Sequence, residues 1–223
     1  MYERLQYLFE DDLSKIINKT ILIIGIGGVG SYALETLTRT GIKKLIIVDS
    51  DKIDETNLNR QLMSLNDNIG NYKTDIFENR IKKINRDCLI IKHTTFITKD
   101  NLESLFKEKI DYVIDACDTL DTKKEIIKYC LKNKIKFISC MGMANRIDSS
   151  LIKQTTLDKT FNDPLSKKLR FLLRKENIKG KIPVIFSQEL PKKSDKLGTV
   201  AHVPATAVIL ITNYIINDIL KEK

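Results

Sequence analysis

Residues 21–30, Ile-Leu-Ile-Ile-Gly-Ile-Gly-Gly-Val-Gly, decide the fold of this chain. An apolar strand runs into a glycine-rich turn, and a helical pattern follows it as far as Thr40. In such a turn one glycine makes the tight bend, one lets backbone N–H groups approach a phosphate, and one allows the helix to pack on the strand. The free N–H groups at the start of that helix favour an anion. We therefore predict that this turn binds the phosphates of a nucleotide.

A second strand follows the helix and ends at an acidic residue. Gly41 comes directly after Thr40, where a left-handed cap residue is favoured, and residues 45–48 are all apolar. Asp49 then falls about twenty residues after the last glycine of the turn. A carboxylate at this strand end binds ribose hydroxyls in nucleotide-binding folds. The spacing predicts that role for Asp49.

Short apolar strands recur along the chain, at residues 45–48, 89–91, 112–114 and 137–139, with helical segments between them. Strands that are apolar throughout are buried on both faces, which is typical of parallel sheets. The predicted fold class is therefore α/β: a Rossmann-like, doubly wound, mainly parallel sheet with a C-terminal extension. We expect one domain over residues 1–223, with a nucleotide-binding half at about 19–140 and a C-terminal portion at about 141–223.

Composition narrows the functional class. The chain of 223 residues has a net charge of +9 and a sequence pI near 9.2, which suits a polyanionic partner. Its cysteines form no C-x-x-C pair, so we expect reduced thiols, a cytoplasmic protein and no zinc. They are Cys88, Cys117, Cys130 and Cys140. None has the surroundings of a nucleophile, which disfavours a thioester mechanism.

The polar segment after Asp49 distinguishes two kinds of nucleotide chemistry. A dinucleotide dehydrogenase uses the same strand, turn, helix and acid. This chain adds cationic and amide groups that hydride transfer does not need, and these suit ATP cleavage, in which developing negative charge is stabilised and a metal ion is held. Besides the glycines and Asp49, the candidates are Asp51, Asn57, Asn59, Arg60, Gln61, Lys73 and Asp118.

These motifs together resemble a known family. Residues 25–30 (Gly-Ile-Gly-Gly-Val-Gly), 56–61 (Thr-Asn-Leu-Asn-Arg-Gln), Lys73 and 115–118 (Asp-Ala-Cys-Asp) are similar, in order and spacing, to the ubiquitin-activating-like adenylyltransferase superfamily that includes the ThiF-type enzymes. Residues 163–165, 184–191, 197–200 and 203–204 extend the resemblance to its tRNA threonylcarbamoyladenosine dehydratase branch. That branch uses ATP to activate the carboxylate of threonylcarbamoyladenosine next to the anticodon, which then cyclises with loss of water.

The resemblance implies a role for each matching residue. Arg60, Lys73 and Asp118 would be catalytic, with Asp118 also holding Mg²⁺, and Asp49 would bind the ribose of ATP. The residues implied to contact the nucleotide are Gly25, Gly27, Gly28, Gly30, Asp49, Asp51, Asn57, Asn59, Arg60, Gln61, Lys73 and Asp118.

Implied partners are a tRNA carrying threonylcarbamoyladenosine and a second copy of the chain, whose ATP Arg4 would reach. A sulfur-transfer or cysteine-desulfurase partner is left open. Residues 167–196 carry a net charge of +7, and their basic side chains are candidates for tRNA binding. We single out Lys167, Lys168, Arg170, Arg174 and Lys175 on the predicted helix.

Two rival functions remain open. An adenylyltransferase acting on the C-terminus of a ubiquitin-like sulfur carrier would use the same ATP site, and a nucleotide-binding scaffold would bind the nucleotide without turnover.

Apolar helices are predicted at both ends of the chain, over residues 5–17 and 203–220. Polar residues interrupt the second one, which favours a core or subunit-interface helix over a membrane span, with peripheral membrane contact left open.

Overall fold

The computed structural model describes residues 1–222, so Lys223, the last residue of the predicted single domain, lies outside the described residues. Seven strands alternate with helices. The strands are β1 (Thr20–Ile24), β2 (Lys44–Val48), β3 (Leu89–His93), β4 (Tyr112–Asp115), β5 (Lys136–Cys140), β6 (Ile152–Thr156) and β7 (Pro183–Ser187). The α-helices are α1 (Glu3–Phe9), α2 (Leu13–Ile17), α3 (Gly28–Arg39), α4 (Lys73–Ile84), α5 (Leu120–Asn133), α6 (Pro164–Lys175) and α7 (His202–Leu220).

The strands form one sheet in the order β3-β2-β1-β4-β5-β7-β6. Every neighbouring pair is parallel except β6 and β7, which are antiparallel. The strand order reverses between β1 and β4, which is where ligands bind in open α/β sheets. The predicted doubly wound, mainly parallel fold is confirmed. The pair β6–β7 belongs to the C-terminal extension and was not among the predicted strands.

One predicted strand differs from the expectation of full burial. Leu89, the first residue of β3, is 52% exposed, and the remaining residues of this strand are only partly covered. β3 is the edge of the sheet, so it has a neighbour on one side only. The prediction was wrong because an apolar run of three residues does not distinguish an edge strand from a central one.

The glycine turn is fixed by close backbone packing. Gly25 has φ +91°, and a Cβ there would lie 2.9 Å from the backbone of Ala116 and Cys117. A Cβ on Gly30 would lie 1.8 Å from the carbonyl oxygen of Gly25. Gly30 therefore lets the first turn of α3 sit directly on the end of β1, the packing role predicted for one glycine.

The N-terminal segment is not one helix, as the sequence pattern predicted. α1 and α2 are separated by a 3-10 turn that begins at Glu10, whose φ is +48°. α1 contains no buried residue, and Leu8 is 72% exposed, whereas Leu13 and Ile16 in α2 are buried. Only the second half of the predicted apolar stripe packs on the core.

α7 is the longest helix and packs along α3. Its inward residues Val203, Ala207, Ile211 and Ile215 are fully buried, and Thr212 shares a hydrogen bond of 2.8 Å with Thr36 of α3. By length and composition alone the helix could cross a membrane. One face of it forms part of the protein core, which agrees with a packing helix.

Candidate functional site

A cleft of about 780 Å³ opens at the carboxyl ends of the parallel strands. Its lining comes from the segments that follow successive strands, in the order in which those strands lie in the sheet. From one end to the other these are residues 95–97 after β3, 48–51 after β2, 24–29 after β1, 116–119 after β4, 140–146 after β5 and 191–194 after β7. The cleft thus has a glycine-loop end and a C-terminal end.

Asp49 is held against the glycine loop by backbone groups. The N–H of Ile26 donates to its Oδ2 at 2.6 Å, and the N–H of Asp51 donates to its Oδ1 at 2.7 Å. Burial raises the pKa of Asp49, while the nearby Lys73 ammonium and the two backbone donors oppose that rise. The carboxylate is therefore fixed in place beside the glycine loop, where it could accept hydrogen bonds from the ribose of a nucleotide bound to that loop.

Lys73 and Arg60 carry the positive charge at this end of the cleft. Lys73, the first residue of α4, is 5% exposed, and its Nζ lies 2.8 Å from Asp51 and 4.0 Å from Asp49. Arg60 packs beside Gly28 and donates to the carbonyl oxygen of Thr56 at 2.7 Å. Both cations line the cleft, so both can meet phosphate oxygens there.

The remaining candidates divide into two groups. Asn57 and Gln61 are nearly buried and line the cleft. Gly30 and Asn59 do not line it: Gly30 serves packing, and the Asn59 amide donates to the carbonyl oxygen of Thr199 at 3.0 Å. Asn59 therefore joins the loop after β2 to the segment before α7. A structural amide and a ligand-binding amide look alike in sequence.

The end of β4 contains a buried ion pair that the sequence analysis missed. Lys123 Nζ lies 2.9 Å from Asp115 Oδ2, and neither side chain has exposed surface. The other carboxylate oxygen of Asp115 accepts from the backbone N–H of Cys117 at 3.3 Å, which fixes the loop that carries Asp118. Asp118 itself is exposed and lines the cleft. Lys123 shares the core face of α5 with Ile126 and Cys130 at helical spacing, and that spacing was an available signal.

The C-terminal end of the cleft is built around a second buried pair, also missed in the sequence analysis. The guanidinium of Arg146 lies 3.2 Å from Asp163 Oδ2, and it also donates to the carbonyl oxygens of Gly142, Asn162 and Glu189. Asp163 caps α6 by accepting from the N–H of Ser166 at 2.6 Å. One side chain thus ties together the segments after β5, before α6 and after β7.

Asn145 anchors the segment that borders this end. Its backbone N–H donates to the Gly198 carbonyl at 2.7 Å, and its side-chain oxygen accepts from the Gly198 N–H at 2.6 Å. Its carbonyl accepts from the N–H of Lys192 at 2.8 Å. Both ends of residues 192–198 are therefore tied to one residue, and we call this segment the Asn145-anchored loop.

Comparisons with known proteins identify the family. A model of the ThiF family matches residues 2–222. The chain belongs to the ThiF family. It is 37% identical to tRNA threonylcarbamoyladenosine dehydratase of Bacillus subtilis (strain 168), with 96% of this chain and 91% of that protein covered. The protein of the same name from Escherichia coli (strain K12) is 39% identical, with 89% and 76% covered. The predicted membership of this branch is confirmed.

Solved structures agree with the family assignment. E. coli tRNA N6-threonylcarbamoyladenosine dehydratase, TcdA, in complex with ATP matches with a TM-score of 0.93 at 34% identity, covering 98% of this chain and 93% of that one. E. coli MccB in complex with ATP matches at 20% identity with a TM-score of 0.70, covering 98% of this chain and 63% of that one. The second likeness concerns the fold alone.

Thiol chemistry in this ThiF-family cleft is disfavoured by burial. Burial raises the pKa of Cys117 well above its ordinary value, and the nearby Asp115 carboxylate raises it further. Burial likewise raises the pKa of Cys140 to about 12. Both thiols stay protonated at neutral pH, so neither is an active nucleophile.

Four of the five basic side chains predicted to bind tRNA are exposed on α6, and the fifth, Arg170, is partly buried. Lys167, Lys168, Arg174 and Lys175 are exposed on α6 and lie outside the cleft lining. Arg170 turns inward instead and donates to the carbonyl oxygens of Leu157 and Thr160, each at 3.0 Å, and to the Thr160 hydroxyl. These bonds use only Nη1 of the guanidinium, but they turn the side chain away from the exposed face, so Arg170 is a weaker candidate than its four exposed neighbours.

The carboxylates of the cleft decide how a metal ion could be held there. Among residues 1–222, no cluster of three or more His, Cys, Asp or Glu side chains is arranged to hold a metal ion. Two exposed carboxylates line the cleft: Asp51, which is paired with Lys73, and Asp118. That donor set fits Mg²⁺ bound together with a nucleotide, because Mg²⁺ commonly takes one or two carboxylates plus phosphate oxygens and water.

Proposed function

We propose that this protein is an ATP-dependent tRNA threonylcarbamoyladenosine dehydratase: it activates the carboxylate of threonylcarbamoyladenosine in tRNA and cyclises it with loss of water. The observation that carries the proposal is the near full-length match to dehydratases, in a chain whose Asp49, Arg60, Lys73 and Asp118 all border one cleft. A dehydrogenase would not need two cations and a separate carboxylate beside the glycine loop.

The sheet order gives ATP an orientation. The phosphates belong at the glycine loop and the start of α3, and the ribose belongs at Asp49 on the neighbouring strand β2. Continuing in the same direction, the adenine reaches the residues that follow β3. Phe96 lines the cleft there and is 54% exposed, although the next residue, Ile97, is buried. We assign Phe96 as the side chain on which the adenine stacks.

The chemistry follows from the charges around the phosphates. The substrate carboxylate attacks the α-phosphorus, and negative charge builds up on the phosphate oxygens as pyrophosphate leaves. Arg60 and Lys73 would stabilise that charge, and they are held in place before the reaction by Thr56 and Asp51. Mg²⁺, held by Asp118 and the phosphates, would neutralise further charge on the reacting phosphate. The adenylate so formed has a good leaving group, which ring closure requires.

A homodimer is the second part of the proposal. Tyr7 and Leu8 on α1 are 74% and 72% exposed, a small apolar surface that a second copy would cover. Arg4 lies on the same helix and does not line the cleft of its own chain, so any contact it makes with ATP would be in the cleft of a neighbouring copy. Light scattering of the wild type and of Leu8→Glu tests this, and a monomeric wild type would overturn it.

The four exposed basic side chains of α6 would bind tRNA phosphates outside the cleft. The N-cap of α6, Asp163, and its first residues, Pro164 and Leu165, line the cleft. Lys167 and Lys168 therefore lie near the site. Arg174 and Lys175 lie at the far end of α6, roughly 10 Å further along the helix at 1.5 Å per residue.

We propose that the protein is cytoplasmic and that α7 is a core helix.

One assay decides between this function and its rivals. Purified protein is incubated with ATP and tRNA carrying threonylcarbamoyladenosine, and digested nucleosides are analysed by mass spectrometry for a product lighter by one water. Parallel reactions contain unmodified tRNA or a ubiquitin-like carrier. Activation of the carrier terminus without any change in the tRNA would favour the adenylyltransferase, and no ATP consumption in any reaction would favour the scaffold.

A further inference from the structure

We propose that the C-terminal end of the cleft is the subsite for the modified nucleoside itself, and that Lys192 and Lys193 bind the RNA phosphates next to it. The inference rests on the proposed function and adds to it the position of the RNA. It names the residues that recognise the nucleoside, as distinct from those that bind ATP.

The order of the strands leaves this end of the cleft for a second ligand. ATP laid from Phe96 past Asp49 to the glycine loop occupies the segments after β3, β2 and β1. A displacement at phosphorus requires the attacking and leaving oxygens to be roughly in line on opposite sides. With pyrophosphate directed to Arg60 and Lys73, the attacking carboxylate approaches from the side of β4 and β5. At ~4.8 Å per strand, β5 and β7 lie about 10 to 14 Å beyond β1.

The side chains of this end suit a flat aromatic base. Met141 and Met143 follow β5, and Leu165 and Pro191 line the same end from α6 and from the segment after β7. Methionine sulfur makes favourable contacts with aromatic rings, and an RNA base in a single-stranded loop can leave its stack and enter an apolar pocket. Apolar residues also line the glycine-loop end, but Ile24, Val48 and Ile97 there are buried, and Phe96 is the exposed one among them.

The charges at the mouth suit the backbone of that RNA. Lys192 and Lys193 line the cleft and are exposed, so each can reach a phosphate beside the inserted nucleoside. Lys196 belongs to the same Asn145-anchored loop but does not line the cleft. The loop therefore supplies two lysines that face the site and one that does not, which gives a matched comparison.

The subsite is built before the ligand arrives. Arg146 and Asp163 are buried, and their hydrogen bonds connect three of the segments that form its walls. Asn145 holds both ends of the loop that carries the two lysines. A preformed pocket loses little entropy on binding, so its affinity depends on how well the nucleoside fits.

The decisive measurement is discrimination between two RNAs. A synthetic anticodon stem–loop carrying threonylcarbamoyladenosine and the same stem–loop with plain adenosine are titrated by fluorescence anisotropy, without ATP. We expect the wild type to bind the modified RNA about 10-fold or more tightly, because its threonylcarbamoyl group fills space in the pocket that a plain adenine leaves empty. Equal affinity of the wild type for the two RNAs overturns the proposal.

Variants then locate the subsite. Leu165→Trp fills the pocket from a partly exposed position, and Met143→Trp fills it from the segment after β5. Each should bring the two affinities to within about 2-fold while leaving the Kd for ATP unchanged. Phe171→Ala, an exposed aromatic of α6 outside the cleft, is the control and should keep the discrimination. If both tryptophan variants fold and still discriminate as the wild type does, the nucleoside binds elsewhere.

The lysines are tested by salt dependence. Lys192→Ala combined with Lys193→Ala should weaken both RNAs equally and reduce the slope of log Kd against log salt by about one to two. Lys196→Ala should change that slope less, and an equal change would overturn the assigned contacts. Conversion of tRNA by the wild type tests the proposed function separately: turnover with no discrimination rejects this subsite alone, and discrimination without turnover rejects the dehydratase alone.

Discussion

Lys123 and Asp115 form an ion pair of 2.9 Å directly beneath the loop that carries Asp118, and neither side chain is exposed. Burial disfavours the charged ammonium, but the charge and hydrogen bond of Asp115, together with the nearby Cys117 and Cys140, raise the pKa of Lys123 on balance. The Ser139 hydroxyl also donates to the same carboxylate. The end of β4 is thus held by a buried charge pair as well as by apolar packing, which makes it sensitive to the loss of one partner.

We predict that Lys123→Met lowers the free energy of unfolding by about 3 to 5 kcal/mol, because it leaves the Asp115 charge buried without a partner. Adding Asp115→Asn removes that charge, so the double variant should recover most of the loss. Urea denaturation followed by circular dichroism measures both. Equal stability of the single and the double variant would contradict an ionic interaction.

Asp118→Asn should leave the fold and RNA binding intact and lower ATP-dependent conversion of the tRNA by about 100-fold or more. The side chain is exposed, so the substitution disturbs no core contact, and it removes only the charge that would hold Mg²⁺. Single-turnover mass spectrometry with saturating ATP measures the effect. Asp121→Asn, on the exposed first turn of α5, is the control. Wild-type turnover by Asp118→Asn would remove this residue from the mechanism.

Phe96→Ala should weaken ATP binding by about 10-fold or more, because stacking of a base on an aromatic ring contributes about 1 to 3 kcal/mol. Binding of inorganic triphosphate, which lacks the base, should be unchanged, and Phe96→Trp should retain affinity for ATP. Calorimetry with each ligand separates the two effects. An equal loss for ATP and for triphosphate would mean that the substitution disturbs the phosphate site instead.

Nucleotide affinity should depend on pH through Asp49. Burial raises its pKa, so this carboxylate takes up a proton at a higher pH than an ordinary aspartate. The ribose hydroxyls need the ionised form as an acceptor, and affinity for ATP should therefore fall as the pH drops through that raised value. Asp49→Asn should bind ATP more weakly and lack this transition. A wild-type profile that is flat down to the pKa of an ordinary aspartate would contradict the assignment.

The two ends of α6 should contribute unequally to tRNA binding. Lys167→Ala with Lys168→Ala, near the cleft, should reduce the salt slope of tRNA binding by about one to two. Arg174→Ala with Lys175→Ala should reduce it less, because those side chains lie farther from the reacting nucleoside. Filter binding over a series of salt concentrations compares the two pairs. Slopes that neither pair changes would make α6 an ordinary solvated surface, and an equal reduction by both pairs would contradict the difference between its two ends.

The fold and half of the site were readable from the sequence because both depend on local pattern. A glycine turn between an apolar strand and a helix has one common structure, and the acid at the end of the next strand has one position in it. Asp49, Arg60, Lys73 and Asp118 therefore reached one cleft as predicted. Their roles in catalysis stay predictions.

The C-terminal end of the cleft depends on contacts between distant segments, which no local pattern contains. Arg146 meets Asp163 and Glu189 only after β5, α6 and β7 have assembled. Arg170 was assigned to the surface because its neighbours Lys167 and Lys168 are basic, yet carbonyl groups near Thr160 bind it. Charge in sequence shows what a side chain can bind and leaves open which partner lies within reach.

The attachment of Lys192 and Gly198 to Asn145 has an evolutionary consequence. The two ends of the loop, between β7 and α7, are bonded to a single residue, so insertions and deletions between Lys192 and Gly198 need not propagate into β7 or α7. The proposed RNA contacts can then vary while the nucleotide site and the core stay unchanged. The seven residues held by one asparagine are therefore the part of the cleft wall in which we expect substitutions to disturb folding least.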